Sequence, residues 1–288
     1  MRRLADLLDM IKFEHTVFAL PFALLSLFLA ADGWPSLHDC LWVVAAMVGA
    51  RSSAMMMNRI ADRNLDAANP RTATRHLPAG RVGLGAAWAF TLAATALFFL
   101  AAWNLGPLAL RLAPVALVWF WGYSWTKRFT WMSHLWLGGA LALAPIGAWI
   151  AVRGRLDGLP LWLAAGVILW VAGFDTIYAC QDAAFDRTRG LQSLPARFGV
   201  RGALWLARLF HAGMLAAFAA VGALYGFHWL YAAGLALVTG LVLAQHALVA
   251  SDVRRGDLQH IDVAFFNVNS IVGVLLMVFA LADRFLLR

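Results

Sequence analysis

The sequence predicts an all-α membrane protein: a polytopic bundle of about nine transmembrane helices with short helices capping its cytoplasmic end. Three observations predict it. Hydrophobic residues make up 62% of the 288 and charged residues 13%, with a mean hydropathy of +0.73, a balance far from that of water-soluble domains. Apolar stretches of roughly 17 to 25 residues, the length that crosses about 30 Å of hydrocarbon, can be placed about nine times along the chain. Basic residues fall mainly on alternate connections between those stretches, the asymmetry of a chain threaded through a membrane.

Taken in order, the expected spans are residues 13–31, 41–60, 84–103, 108–123, 135–152, 161–180, 203–224, 227–250 and 263–287. Ahead of the first, Met1 to Lys12 reads as an amphipathic interfacial lead-in and not a cleaved signal, because its apolar continuation runs to full spanning length. The longest connections, 61–83 and 181–202, carry helix-period patterns that predict short cytosolic helices rather than loose loops. One side of the membrane collects Arg2, Arg3, Lys12, the arginines from Arg59 to Arg81, Lys127, Arg128, the arginines from Arg187 to Arg201, Arg254 and Arg255. The other side has Arg153, Arg155, Arg284 and Arg288. This places the N-terminus and both long connections in the cytoplasm and the C-terminus outside, in a membrane that reads as a bacterial inner membrane. The same asymmetry accounts for the formal charge of +8 without a nucleic-acid partner. Cys40 and Cys180 fall near opposite faces, so no disulfide is expected between them. Residues 1–288 read as one domain, and no obligate protein partner is inferred.

The chemistry concentrates in two rows of oxygen-bearing side chains. Asn58, Asp62 and Asp66 recur every four residues at the end of the second span, so on a continuing helix they share one face, drifting roughly 40° per step. Asp175, Tyr178, Asp182 and Asp186 follow steps of three, four and four at the end of the sixth. Carboxylates near a membrane interior cost roughly 2.5 to 3.5 kcal/mol each at a helix centre. Facing like charges about 6 Å apart add roughly 3 kcal/mol per pair at an effective dielectric near 20. Such a cluster favours divalent cations, and hard Asn/Asp oxygens without His or Cys favour Mg²⁺ bridging carboxylates to a phosphorylated substrate. Arg59, Arg63, Arg71 and Arg75 surround the first row, Arg187 and Arg189 follow the second, and Lys127 lies between, a mixture suited to a diphosphate. Other readings stand beside this one. Each arginine serves equally as a topological anchor, Asp66 as an N-cap or solvated loop residue, and Tyr123 with Lys127 as an aromatic belt and its anchor. His134, His211, His246 and His260 show no metal-ligand spacing and read as interface or helix contacts, as do Asn267 and Asn269, while Glu14 with His15 is ambiguous.

Together the segments resemble the UbiA family of intramembrane aromatic prenyltransferases. Asn58-Arg-Ile-Ala-Asp62-Arg-Asn-Leu-Asp66 is similar to the family's N-D-x-x-D-x-x-x-D, Asp182-Ala-Ala-Phe-Asp186 to its D-x-x-x-D, and Tyr123-Ser-Trp-Thr-Lys127 to its Y-x-x-x-K. Arg51, Arg71-Thr-Ala-Thr-Arg75-His-Leu-Pro78 and Asp175-Thr-Ile-Tyr178-Ala extend the likeness over essentially the whole chain. Two departures stand out: Arg59 follows Asn58 where the family usually has Asp, and Gln181 precedes Asp182 where the family is denser in acids. The Lys12 to Pro21 opening with Asn58-Arg59 looks like the branch labelled 4-hydroxybenzoate polyprenyltransferase, some members of which resemble menaquinone-route enzymes.

The resemblance implies a Mg²⁺-dependent transferase that moves a polyprenyl group from its diphosphate to the ring carbon ortho to the hydroxyl of a carboxylated aromatic acceptor. The expected acceptor is 4-hydroxybenzoate, in ubiquinone biosynthesis, with 1,4-dihydroxy-6-naphthoate of a menaquinone pathway as the alternative. Asn58, Asp62, Asp66, Asp182 and Asp186 are then metal ligands; Arg51, Arg63, Arg71, Arg75, Tyr123 and Lys127 bind substrate; Asp175, Tyr178 and Lys127 are catalytic. Arg51, two turns inside its helix, needs a partner, for which a substrate carboxylate, Asp175 or Asp62 would serve. A membrane carrier of an anionic substrate is the non-enzyme alternative, disfavoured because the ionisable residues sit at cytoplasmic exits and no pair of broken spans marks a midplane site.

Overall fold

The computed structural model describes residues 18–255 and 268–287. The lead-in, Glu14, His15, His260, Asn267 and Arg288 lie outside the described residues, as do the starts of the first and last expected spans. All regular structure among the described residues is helical: α1 (Leu20–Ala31), α2 (Leu37–Ala61), α3 (Arg63–Ala68), α4 (Leu84–Asn104), α5 (Pro107–Thr126), α6 (Ser133–Arg153), α7 (Leu159–Ala179), α8 (Ala183–Thr188), α9 (Leu194–Tyr225), α10 (Trp229–Arg255) and α11 (Asn269–Leu286).

Local chemistry sets the boundaries. Ser36 and Ser193 cap α2 and α9, each hydroxyl accepting from the backbone N–H three residues on. Pro21, Pro107 and Pro160 sit in first turns, where a missing N–H costs nothing. Gly154 and Gly226 end α6 and α9 in the left-handed conformation that glycine adopts without strain. Tight turns gather at one end of the bundle, at 32–36, 105–106, 154–158 and 226–228. The long connections, 62–83 and 180–193, meet at the opposite end.

Where about nine spans were expected, seven helices among the described residues are long and apolar enough to cross a membrane: α2, α4, α6, α7 with its extension through Thr188, α9, α10 and α11. The other two expected spans fall short for different reasons. Only 12 residues of α1 are described as helix, and the Trp-Phe-Trp-Gly-Tyr-Ser-Trp-Thr end of α5 dilutes its apolar half.

α7 is the central helix: 72% of its apolar stretch is buried, against 28–39% for the other six, which leave a face for lipid. It packs between α6 and α9, and its Trp170 and Phe174 join Phe18, Phe22 and Phe218 in an aromatic core. Phe22 lies 5.1 Å from Trp170 and 5.7 Å, stacked, from Phe218. Two glycines bring backbones together where water supplies no driving force. A Cβ on Gly138 of α6 would meet the Ile168 carbonyl oxygen of α7 at 2.4 Å, and one on Gly49 of α2 would meet the Phe98 nitrogen of α4 at 2.7 Å.

Candidate active site

The same backbone object is built twice. α2 stops at Ala61, Asp62 adopts φ −94° and ψ 6°, and α3 follows; α7 stops at Ala179, a short 3₁₀ turn leads to Asp182 at φ −97° and ψ 2°, and α8 follows. Each row of oxygens thus crosses a break in its helix. The four-residue recurrence survives because the Asp62 N–H still donates to the Asn58 carbonyl (2.9 Å) and the Asp66 N–H to that of Asp62 (2.7 Å). In each copy the first aspartate stays partly open to solvent and the second is buried: Asp66 and Asp186 are 7% and 2% exposed. Burial excludes the solvated-loop reading of Asp66.

Four carboxylates are matched by four cations. Arg128 reaches Asp62 at 2.9 Å, Arg75 reaches Asp66 at 2.6 Å, Arg71 reaches Asp182 at 2.5 Å and Lys127 reaches Asp186 at 3.6 Å. The neighbours Lys127 and Arg128, at the end of α5, therefore clasp opposite rows. The Arg71 grip is a two-pronged fork, Nε also donating to Asp182 at 3.0 Å, while its Nη1 donates to the Tyr178 hydroxyl at 2.9 Å. The Asn69 amide (3.2 Å) completes the set on Asp182, so the loop after the first row is bonded to the second. Burial pushes the Asp62 carboxyl up to about 6, against the pull of Arg128. Burial alone would lower the Arg71 guanidinium; bonding to Asp182 and Tyr178 raises it above its ordinary value.

These groups line a cavity of about 170 Å³ at the broken end of the bundle. Beneath it a chamber of about 350 Å³ runs between α2, α4, α5 and α6, walled by Ala, Val, Leu, Met, Phe and Trp. Asn58 and Tyr123 belong to both walls, so the polar cavity opens onto the apolar chamber. Along α2 the chamber extends from Asn58 to Val43, about 22 Å at 1.5 Å per residue.

The expected site residues sort as follows. Asn58, Asp62, Asp66, Arg71, Arg75, Tyr123, Lys127, Asp175, Tyr178, Asp182 and Asp186 share the polar cavity. Arg51 lines the apolar chamber instead. Arg63 stands apart from them: it is exposed, bonds to the Asn64 side chain at 3.4 Å and does not line the cavity, because one helical step past Asp62 turns it to solvent. Arg187 ties the Pro195 and Ala196 carbonyls, a structural role. His211 meets His246 at 2.9 Å and Asn269 accepts from Trp170 at 3.0 Å, both helix contacts as expected. Arg59, expected beside the first row, lines the cavity too, whereas sequence reasoning missed Arg128 and Asn69 on its wall and the pairing of His134 with Asp175. Arg128 carried a signal, its adjacency to Lys127; the others did not.

The donor set fits a hard divalent ion. The cavity wall offers carboxylate and amide oxygens without imidazole or thiol, and Asp66 Oδ2 is buried with no hydrogen-bond partner among the described residues, a lone pair left unspent. Among the described residues no three His, Cys, Asp or Glu side chains converge on one point. Mg²⁺ suits that spread, since it is bound by one or two carboxylates with waters and phosphate oxygens completing the shell.

A charged, ion-paired cavity over an apolar chamber, set in a bundle of membrane-length helices, suits a molecule with an anionic head and an apolar tail. The UbiA prenyltransferase family profile matches residues 19–271. A 4-hydroxybenzoate octaprenyltransferase from Nitrosospira multiformis is 34% identical over 224 residues, 77% of each chain. The solved apo structure of a UbiA homolog from Aeropyrum pernix K1 superposes with a TM-score of 0.84 at 35% identity, covering 94% of this chain and 98% of that one. A UbiA homolog from Archaeoglobus fulgidus, solved bound to DMAPP and Mg²⁺, shares the fold at a TM-score of 0.71 and 19% identity over 96% of this chain and 98% of its own. The chain belongs to the UbiA prenyltransferase family. It is an integral-membrane enzyme of the prenyltransferase class.

Proposed function

We propose that this enzyme transfers a polyprenyl group from its diphosphate to the carbon ortho to the hydroxyl of 4-hydroxybenzoate. The observation that carries the proposal is the junction at Asn58 and Tyr123, where the ion-paired cavity meets the apolar chamber. A polyprenyl diphosphate has that division of character, and the relatives' names supply the acceptor.

Asp62 and Asp182, with Asn58 and the deeper Asp66 and Asp186, are the residues that would hold Mg²⁺. Its contribution when bound is charge neutralisation of the departing pyrophosphate. Arg71, Arg75, Lys127 and Arg128, each paired with a carboxylate, turn to the diphosphate oxygens and supply further positive charge. The allylic C–O bond breaks with its electron pair leaving on pyrophosphate, and the chamber keeps water from the resulting cation. Tyr123, at the junction, presents its ring to the allylic carbon. Arg51, on the chamber wall, pairs with the acceptor carboxylate. The ring carbon ortho to the hydroxyl forms the new C–C bond, and the proton it carried passes to the Asp175 carboxylate, restoring aromaticity. Tyr178, bonded to Arg71, couples the two subsites.

In this reading α1 and α5 also cross the membrane, giving nine spans, with the cavity cytoplasmic and the C-terminus outside a bacterial inner membrane. The excess of Arg and Lys at the cavity end supports that orientation. The test is an acceptor panel: membranes containing the protein, Mg²⁺ and geranyl diphosphate, with products read by mass spectrometry. Geranylated 4-hydroxybenzoate supports the proposal; product only from 1,4-dihydroxy-6-naphthoate moves the enzyme to a menaquinone route, and acceptor carried across vesicles unmodified contradicts it.

A further inference from the structure

We propose that His134 is a positioning residue that orients the Asp175 carboxylate, one oxygen turned to the acceptor, through a backbone-locked tautomer. The inference rests on the proposed role of Asp175. His134 opens α6, is fully buried, and lies between α7 and the first turn of α9. Its Nε2 receives the Leu194 N–H at 3.4 Å. That N–H belongs to the first turn of α9, where backbone donors lack a helical partner, and it can only donate. Nε2 must therefore offer a lone pair, which puts the ring proton on Nδ1. Nδ1 stands 2.6 Å from Asp175 Oδ2, a short hydrogen bond with the imidazole donating.

Three consequences follow for the site. Asp175 has one oxygen spent on His134 while its side chain still lines the polar cavity, so a single oxygen serves substrate. The bond also fixes the rotation of the carboxylate, so the remaining oxygen is held in one direction. The lock also runs into the second row: Ser193, which caps α9, donates to Asp186 at 2.8 Å, and the Gln192 N–H donates to the Lys127 carbonyl at 2.6 Å. The segment 192–194 thus places one residue against Lys127, one against Asp186 and one against His134, fixing the diphosphate side and the acceptor side from one stretch of backbone.

The test uses the full-length protein in vesicles with 4-hydroxybenzoate and geranyl diphosphate varied separately, comparing wild type, His134→Ala and His134→Gln. Glutamine offers an N–H to Asp175 and a carbonyl to the Leu194 N–H, the two bonds the ring makes. His134→Ala is expected to lower kcat roughly tenfold to a hundredfold, the range seen when a group that orients a working ligand is lost, with the geranyl diphosphate KM within twofold of wild type. His134→Gln is expected to recover kcat to within threefold. A merely structural role would lower both variants together and raise both KM values, and that pattern overturns the proposal, as does wild-type kcat in His134→Ala. If the wild type itself prenylates no phenolic acid, the reading of the site fails and not this inference alone.

Discussion

Replacing Arg71 with lysine keeps a positive charge at the cavity mouth but removes the fork. The guanidinium makes three bonds here, two to Asp182 and one to Tyr178, whereas an ammonium at the same place is a point charge that meets one carboxylate oxygen well. Truncating one partner of a buried, hydrogen-bonded charge pair costs 2–5 kcal/mol; the Arg71 side chain is 32% exposed, and screening brings the figure for Arg71→Ala to about 1.5–3 kcal/mol. At about 1.4 kcal/mol per tenfold, that is roughly a 10- to 150-fold loss in kcat/KM for the prenyl diphosphate, and Arg71→Lys should lose about fivefold. The assay is initial-rate kinetics in vesicles at saturating acceptor with the donor varied, alongside a melting curve to show the variants fold. Donor kcat/KM within twofold of wild type in Arg71→Ala, or lysine and arginine performing alike, would refute the reasoning.

Further outcomes follow from the same geometry. Asp62→Ala and Asp182→Ala should each abolish turnover while leaving membrane expression unchanged; wild-type rates in either would remove it from the metal site. Because burial holds the Asp62 carboxyl near 6, it gains a proton as pH falls below that value, so the Mg²⁺ concentration for half activity should rise about tenfold per unit below pH 6 and level off above about 7. Equal half-activation at pH 5 and 7.5 would contradict this. Gly147 lines the chamber about 21 Å along α6 from its start at the cavity end, and a Cβ there meets no atom within 4 Å. Gly147→Leu should therefore fold, keep geranyl diphosphate turnover within threefold, and cut turnover of octaprenyl diphosphate at least tenfold; equal losses on both donors would place the tail elsewhere.

Much of this site is legible in the chain because its signal is local. Asn58, Asp62 and Asp66 announce themselves by spacing alone, and the helix break at Asp62 leaves that spacing intact because the four-residue hydrogen bonds continue through it. Helical content and the paired short helices α3 and α8 follow from apolar run lengths and periodicity for the same reason. Pairings across the fold are not local. Arg128 meets Asp62 across 66 residues, Asn69 meets Asp182 across 113 and His134 meets Asp175 across 41, and no spacing encodes which helix ends converge. Arg63 shows the converse: adjacency to a site residue in sequence means a turn of about 100° on a helix, which here points to solvent. In α5 the Trp, Tyr, Ser and Thr that lower its hydropathy gather at one end, the end that lines the cavity with Tyr123 and Ser124.

In the proposed reaction one cavity breaks an allylic C–O bond and passes the carbon to an aromatic ring. This is tested most directly by following both bonds at once, with 4-hydroxybenzoate deuterated at both carbons ortho to its hydroxyl, geranyl diphosphate and the full-length protein in vesicles. One deuterium should be lost from the product for each pyrophosphate released, and neither event should occur once EDTA is added. Pyrophosphate released while both deuterons stay on the ring would mean hydrolysis or attack through oxygen, and would contradict the proposed reaction.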